Sequence, residues 1–113
     1  MHEMALAREI VRLTEQAAAE QHVRRVTRIH LQLGALSCAQ PDALDFAFTA
    51  CRQGSMLGEA ELAIVRKPAL GRCPDCGDVS EMWSRFDGCA HCHGKMLLAE
   101  GGEELRIVEL EVQ

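Results

Sequence analysis

Four cysteines in two pairs set the strongest limit on how this chain can fold. Cys73-Pro74-Asp75-Cys76 and Cys89-Ala90-His91-Cys92 are CxxC knuckles, separated by 12 residues. Residues 71–95 around them hold five glycines or prolines and little apolar material for a core. Such a stretch folds only when something else holds it, and a metal ion is the obvious candidate. Two thiolates at i and i+3 can bind one ion where the chain turns tightly. Gly77 and Gly94 lie just past the two pairs, where a knuckle needs permissive backbone. Four thiolates around Zn²⁺ make a closed tetrahedral shell, which argues for structure rather than catalysis. Soft sulfur also suits iron, so a rubredoxin-like redox centre is the rival reading. Zinc is preferred, because aromatics at 4% leave little apolar shell for a redox centre.

His91 and His93 flank Cys92. They read as solvated loop histidines, or as a replacement ligand or a charge that tunes the site near neutral pH. Four cysteines already fill the shell. Cys51 falls on a helical stripe and reads as a small core residue. Cys38 sits in a turn, with a metal or redox role as its alternative.

The start, Met1-His2-Glu3-Met4, has an early acid and no apolar signal core behind it, so it is not a secretory peptide. No apolar run approaches the roughly 18 to 20 residues of a membrane span. The expectation is a cytoplasmic chain with reduced thiols, its cysteines metal ligands or free thiols rather than disulfides. A length of 113 residues allows one compact domain, or a small domain carrying a metal-stapled module. Hydrophobic content of 48% and charged content of 26% are globular values and exclude disorder. The net charge of -5 argues against a nucleic-acid partner. No nucleophile elbow, phosphate loop or carboxylate pair in a recognisable cleft setting is present, so no enzyme is expected.

Outside the knuckles the pattern is periodic. Leu6, Ile10, Leu13 and Ala17 form one apolar stripe on a helix over 4–20. Met1, His2 and Glu3 are left as a free or fraying tip. Residues 25–33 alternate Thr27, Ile29, Leu31 and Leu33 with Arg28, His30 and Gln32, a strand apolar on one face. Gly34 ends it. Pro41 suits the first turn of a second helix, with Leu44, Ala47, Phe48 and Cys51 as its buried stripe and Gly54 as its stop. Residues 60–66 and 105–112 read as two more strands, the last with Val108, Leu110 and Val112 on one face. The predicted fold is α+β: a small three-stranded sheet with two helices on one face, plus an inserted zinc-ribbon-like four-cysteine module. The α/β domain takes residues 1–68 and 97–113, and the zinc-binding domain takes 69–96.

The tip has a chemical alternative to being an ordinary start. The bulky His2 should block trimming of Met1. The α-amine, the following amide nitrogens and the His2 imidazole can close chelate rings around one ion, and such a flat nitrogen array suits Ni²⁺ or Cu²⁺.

Met1-His2-Glu3, Leu33-Gly34-Ala35-Leu36-Ser37 after the first strand, Pro41–Phe48 and the paired knuckles before a last acidic strand together resemble the HypA/HybF family of nickel metallochaperones for [NiFe]-hydrogenase maturation. The resemblance covers essentially the whole chain. It implies transported Ni²⁺ at Met1 (amine), His2 (imidazole and amide) and Glu3, which would make the α/β domain the nickel-binding one. It also implies structural Zn²⁺ at Cys73, Cys76, Cys89 and Cys92. Some members add a carboxylate from the turn before the second helix. Here Gln40 stands at that place, with Asp42 as a substitute. The implied partners are a nickel-binding GTPase and the precursor of the hydrogenase large subunit, in some members urease as well, with the carrier a monomer or weak homodimer.

Overall fold

The computed structural model describes residues 3–94 and 97–113, the side chain of Leu98 excepted. Its elements in order are α1 (Glu3–Glu20), β1 (Val26–Gly34), α2 (Pro41–Cys51), β2 (Glu61–Lys67), β3 (Ala69–Arg72), β4 (Val79–Met82), β5 (Leu98–Glu100) and β6 (Leu105–Val112). They make two three-stranded sheets, ordered β2-β1-β6 and β4-β3-β5. The chain divides into two compact units.

The first unit comprises Met1–Leu31, Cys38–Ile64 and Arg106–Gln113. It contains both helices, which pack on each other. The buried side of α1 is Ala7, Ile10, Val11, Thr14 and Ala18. This corrects the predicted stripe: Ile10 is buried, but Leu6, Leu13 and Ala17 are only half-buried. The stripe of α2 is as expected at Leu44, Ala47 and Phe48, all buried. Phe46, on the opposite side, is exposed.

Strand β1 alternates as predicted over Ile29, Leu31 and Leu33, all fully buried, but at its start Val26 is buried and Thr27 only half-buried, against the expectation. Arg28 meets Glu61 near the starts of β1 and β2, and the Ala35 N–H, just past β1, donates to the carbonyl of Lys67, the last residue of β2. The two strands are therefore parallel, and α2 is the crossover that a parallel pair requires. β6 runs antiparallel to β1: Gln113 N–H donates to Arg25 C=O, and Gly34 N–H to Glu104 C=O. The predicted apolar face of β6 is only partly covered, because β6 lies at the sheet edge. Leu110 is half-buried, while Val108 and Val112 are exposed.

The second unit comprises Gln32–Ser37 and Val65–Leu105. It is wider than the predicted 69–96 module, because β5 pairs with β3 and Leu97 joins its core. β3 pairs antiparallel with β4 on one side and β5 on the other. The core is Leu36, Ala69, Cys73, Met82, Cys89 and Leu97. Two of these six are cysteines of the knuckles, so the metal cluster and the core are one object.

Candidate metal centre

The two knuckles are built alike. In the first, Gly77 N–H donates to Cys73 C=O at 2.8 Å; in the second, His93 N–H donates to Cys89 C=O at 3.0 Å. Each first cysteine is tied to a residue beyond its knuckle, Cys73 N–H to Asp78 C=O and Cys89 N–H to Gly94 C=O. The residue four after each first cysteine has a left-handed backbone: Gly77 at φ 75° and His93 at φ 62°. The predicted role of Gly94 is thus corrected. Its place in the left-handed turn belongs to His93, a residue type that tolerates the region better than most. Gly94 instead lies close to the cluster: a Cβ there would be 3.1 Å from an Asp75 carboxylate oxygen and within 3.5 Å of the Cys92 and Cys73 sulfurs.

These turns bring Cys73, Cys76, Cys89 and Cys92 together, with all four Sγ atoms within 4.8 Å of one another. Cys73 and Cys92 are 3.5 Å apart, and Cys76 and Cys89 are 3.6 Å apart. A tetrahedral ion with sulfur at about 2.3 Å places its ligands about 3.8 Å apart, close to what the cluster presents. Cys73 and Cys89 are buried, while Cys76 and Cys92 are exposed. No other His, Cys, Asp or Glu among the described residues joins this group. His91 and His93 lie outside it and are exposed.

The electrostatics call for a cation. Backbone N–H groups of Cys92 and His91 both point at the Cys89 sulfur from 3.4 Å and draw its thiol down to about 6. Cys76 moves to about 12: the Asp78 N–H favours its thiolate, but desolvation and the neighbouring sulfurs outweigh that. Four sulfurs this close cannot all ionise unaided. A divalent ion at their centre would remove the conflict and hold all four as thiolates.

At the other predicted site, Met1 and His2 lie outside the described residues. Glu3 corrects the expectation of a fraying tip. It is the first residue of α1, half-buried, and its carboxylate accepts the Gln40 N–H at 3.2 Å. Gln40 is the N-cap of α2 and caps nothing with its own side chain. Asp42 lies in the first turn of α2 and is exposed. Cys38 is exposed, and Cys51 is half-buried rather than sealed in a core. The Cys51 thiol donates to the Met4 thioether at 3.2 Å, a sulfur pair at the start of α1 that helical periodicity does not reveal. The Glu3–Gln40 link escaped the sequence because its donor is a main-chain group, and no residue type marks it.

Comparison with known proteins places these features. A family model described as hydrogenase/urease nickel incorporation, metallochaperone, HypA matches residues 1–112. Hydrogenase maturation factor HypA of Geotalea uraniireducens is 42% identical over 113 residues, the whole of both chains. Its counterpart from Rhodobacter capsulatus is 40% identical over 112 residues, 99% of each chain. Hydrogenase maturation factor HybF of Salmonella typhimurium is 37% identical over all of both chains. The solution structure of the Ni metallochaperone HypA from Helicobacter pylori superposes with a TM-score of 0.70 at 26% identity, covering 99% of this chain and 97% of that one.

Proposed function

The chain belongs to the HypA family of hydrogenase/urease nickel-incorporation metallochaperones, and on that premise we propose that it carries Ni²⁺ at Met1, His2 and Glu3 and hands it to the precursor of the hydrogenase large subunit. Members of the family are metallochaperones, not enzymes, and they serve the hydrogenase maturation machinery. The match over residues 1–112, which takes in Met1-His2-Glu3, carries the reading. The Glu3–Gln40 contact supports it, because it anchors the residue following His2 to the turn before α2. Glu3 then offers nickel its amide nitrogen and a carboxylate oxygen, while Met1 offers its amine and His2 its imidazole and amide. Gln40, where some members carry a carboxylate, brings no anionic side chain to that turn.

Zinc is the ion proposed for Cys73, Cys76, Cys89 and Cys92. The sulfur spacing fits its tetrahedral shell, and the closed shell gives it a structural role. The nickel donors are nitrogen-rich and the zinc donors all sulfur, which keeps the cargo and the structural ion apart by ligand softness. Copper would outcompete nickel at such a nitrogen site on affinity alone, so selectivity falls to availability and docking. The proposed partners are a nickel-binding GTPase and the large-subunit precursor. The proposed setting is the cytoplasm. Among the described residues no helix is long and apolar enough to cross a membrane.

The test is calorimetric titration of nickel into the protein beginning at Met1, into a form extended by two residues before Met1, and into His2→Ala. Extension moves the amine and breaks the chelate sequence, and His2→Ala removes the imidazole. Both should lose tight nickel binding while zinc content and thermal stability hold. Unimpaired binding in the extended form would sink the assignment of Met1.

A further inference from the structure

We propose that the open groove beside β4 docks an extended, positively charged segment of a partner protein, which adds to the β4 edge as a further strand. The groove has a volume of about 500 Å³, and its lining includes Asp78, Val79, Ser80, Glu81, Trp83 and His91. All of these residues belong to the second unit. The proposal is therefore independent of nickel at the amino terminus.

Three features of the groove converge on that occupant. The first is main-chain geometry. β4 is the outer strand of the sheet β4-β3-β5. Cys73 N–H donates to Asp78 C=O at 2.9 Å, and the register pairs Gly71 with Ser80 and Ala69 with Met82. Antiparallel pairing alternates, so the amide and carbonyl groups of Val79 and Glu81 turn away from β3, toward the edge. Such an edge is a template for strand addition.

The second feature is charge. Asp78 and Glu81 both line the groove, neither has an ion-pair partner among the described residues, and no Lys or Arg among those residues lines it. Side chains alternate faces along β4, so Glu81 shares a face with Val79 and Trp83 while Asp78 falls on the other. A segment bearing Lys or Arg at alternate positions sets its cations against Glu81, and an acidic segment is repelled.

The third is Trp83, which is 51% exposed beside Val79 at 48%. The Asp87 carboxylate accepts the Trp83 N–H at 2.7 Å and the Ser84 N–H at 3.2 Å, which fixes the backbone that carries the indole. An indole carried on a fixed backbone at the rim of an acidic groove is the best side chain for stacking on a cation. Phe86 on the same loop is 94% exposed, so this loop spends its aromatics on the surface rather than on a core.

Trp83 is the chain's one tryptophan, so its emission reports on the groove directly. The probe is a blocked hexapeptide, Lys-Val-Lys-Val-Lys-Val, titrated into the zinc-loaded full chain. The expected result is a saturable change in Trp83 emission, weakened by salt. Glu81→Lys should weaken binding by at least about tenfold with zinc content unchanged. Glu81→Gln, which keeps size and polarity, should give a smaller loss in the same direction. N-methylation of alternate peptide bonds in the probe should abolish binding. The proposal is overturned if Glu-Val-Glu-Val-Glu-Val binds as well, if the N-methylated probe binds as well, or if no saturable change occurs. A concentration-dependent change in the protein alone, with dimer formation, would assign the groove to a second copy and overturn it too.

Discussion

The two units hold themselves together by different means. In the first, periodic apolar residues are sealed away: Ile10, Ile29, Leu31, Leu44 and Phe48 are at most 1% exposed. In the second, one core cluster of the described residues joins Leu36, Ala69, Met82 and Leu97 to Cys73 and Cys89. Apolar burial contributes roughly 1.5–3 kcal/mol for a large side chain. A structural zinc contributes apparent binding energies of about 10–16 kcal/mol in small zinc-finger peptides. The first unit therefore has many small supports, and the second has one large one. The lesson is that apolar content alone misjudges the foldability of a segment: residues 71–95 look too polar to fold because their stabiliser is not a residue.

Metal removal tests this contrast most severely. Cys73→Ser, or a strong chelator, should release the ion and disorder the knuckles, a loss on the order of 10 kcal/mol of local stabilisation. The helices α1 and α2 lie in the first unit, so the helical circular dichroism should stay close to that of the intact protein. Limited proteolysis should cut within 71–95 only. Loss of the helix signal together with the metal would show that the first unit does not stand by itself.

The converse experiment is Phe48→Ala. Phe48 is 1% exposed in the buried stripe of α2, and such truncations cost about 3–5 kcal/mol. Thermal melting followed at the helix band should fall by many degrees. Zinc measured with the folded protein at low temperature should remain near one per chain. Metal release that moves down in step with the lowered helix melt would contradict the division.

How much of this was legible depended on what carries each feature. The cysteine cluster was readable because spacing alone specifies it: an i, i+3 pair closes on one ion whatever surrounds it. β1 was readable because Ile29, Leu31 and Leu33 keep strict alternation. The phase of α1 was not, since its buried side takes in Ala7, Val11, Thr14 and Ala18, of which two are alanines and one is polar, and leaves Leu6 and Leu13 half-buried. β3, β4 and β5 were missed individually because they are only four, four and three residues long and built around Ala69, Gly71 and Ser80. The left-handed residue of the second knuckle is not marked by residue type: glycine favours that region, yet His93 occupies it and the neighbouring Gly94 does not. Glu3 joined α1 through a main-chain partner 37 residues away, which local pattern does not encode.

Thr14 gives a smaller test inside the first unit. It is fully buried on α1, and its hydroxyl finds no hydrogen-bond partner among the described residues. A buried unpaired hydroxyl costs about 1–3 kcal/mol. Thr14→Val keeps the shape and removes the unpaired group, so it should stabilise the first unit by roughly 1 kcal/mol. Urea unfolding followed at the helix band measures this, and a destabilised variant would show that the hydroxyl has a partner in solution. The metal cluster should be indifferent to the change.

The smallest expected effect concerns acid, and it separates the units by pH window. Glu111 on β6 accepts a hydrogen bond from His30 at 2.6 Å and sits 3.6 Å from Arg28. The His30 hydrogen bond, with Arg28 adding its charge, holds the carboxyl below its ordinary value. A carboxylate with a depressed folded-state pKa stabilises the fold fully above its unfolded value, near 4.3, and that stability disappears as pH falls through the folded value. The contribution is small, because the pair is largely solvated. The knuckles should fail at higher pH, since protons compete with the metal for thiolates. Acid titration should therefore release the metal first, and the first unit should begin to weaken only below about pH 4. Glu111→Gln should flatten the acid limb of first-unit stability and leave the metal-release midpoint where it was. Unchanged acid sensitivity in Glu111→Gln would mean that other carboxylates govern that limb. A shifted metal-release midpoint would mean that the two units are coupled through the very strand that carries Glu111.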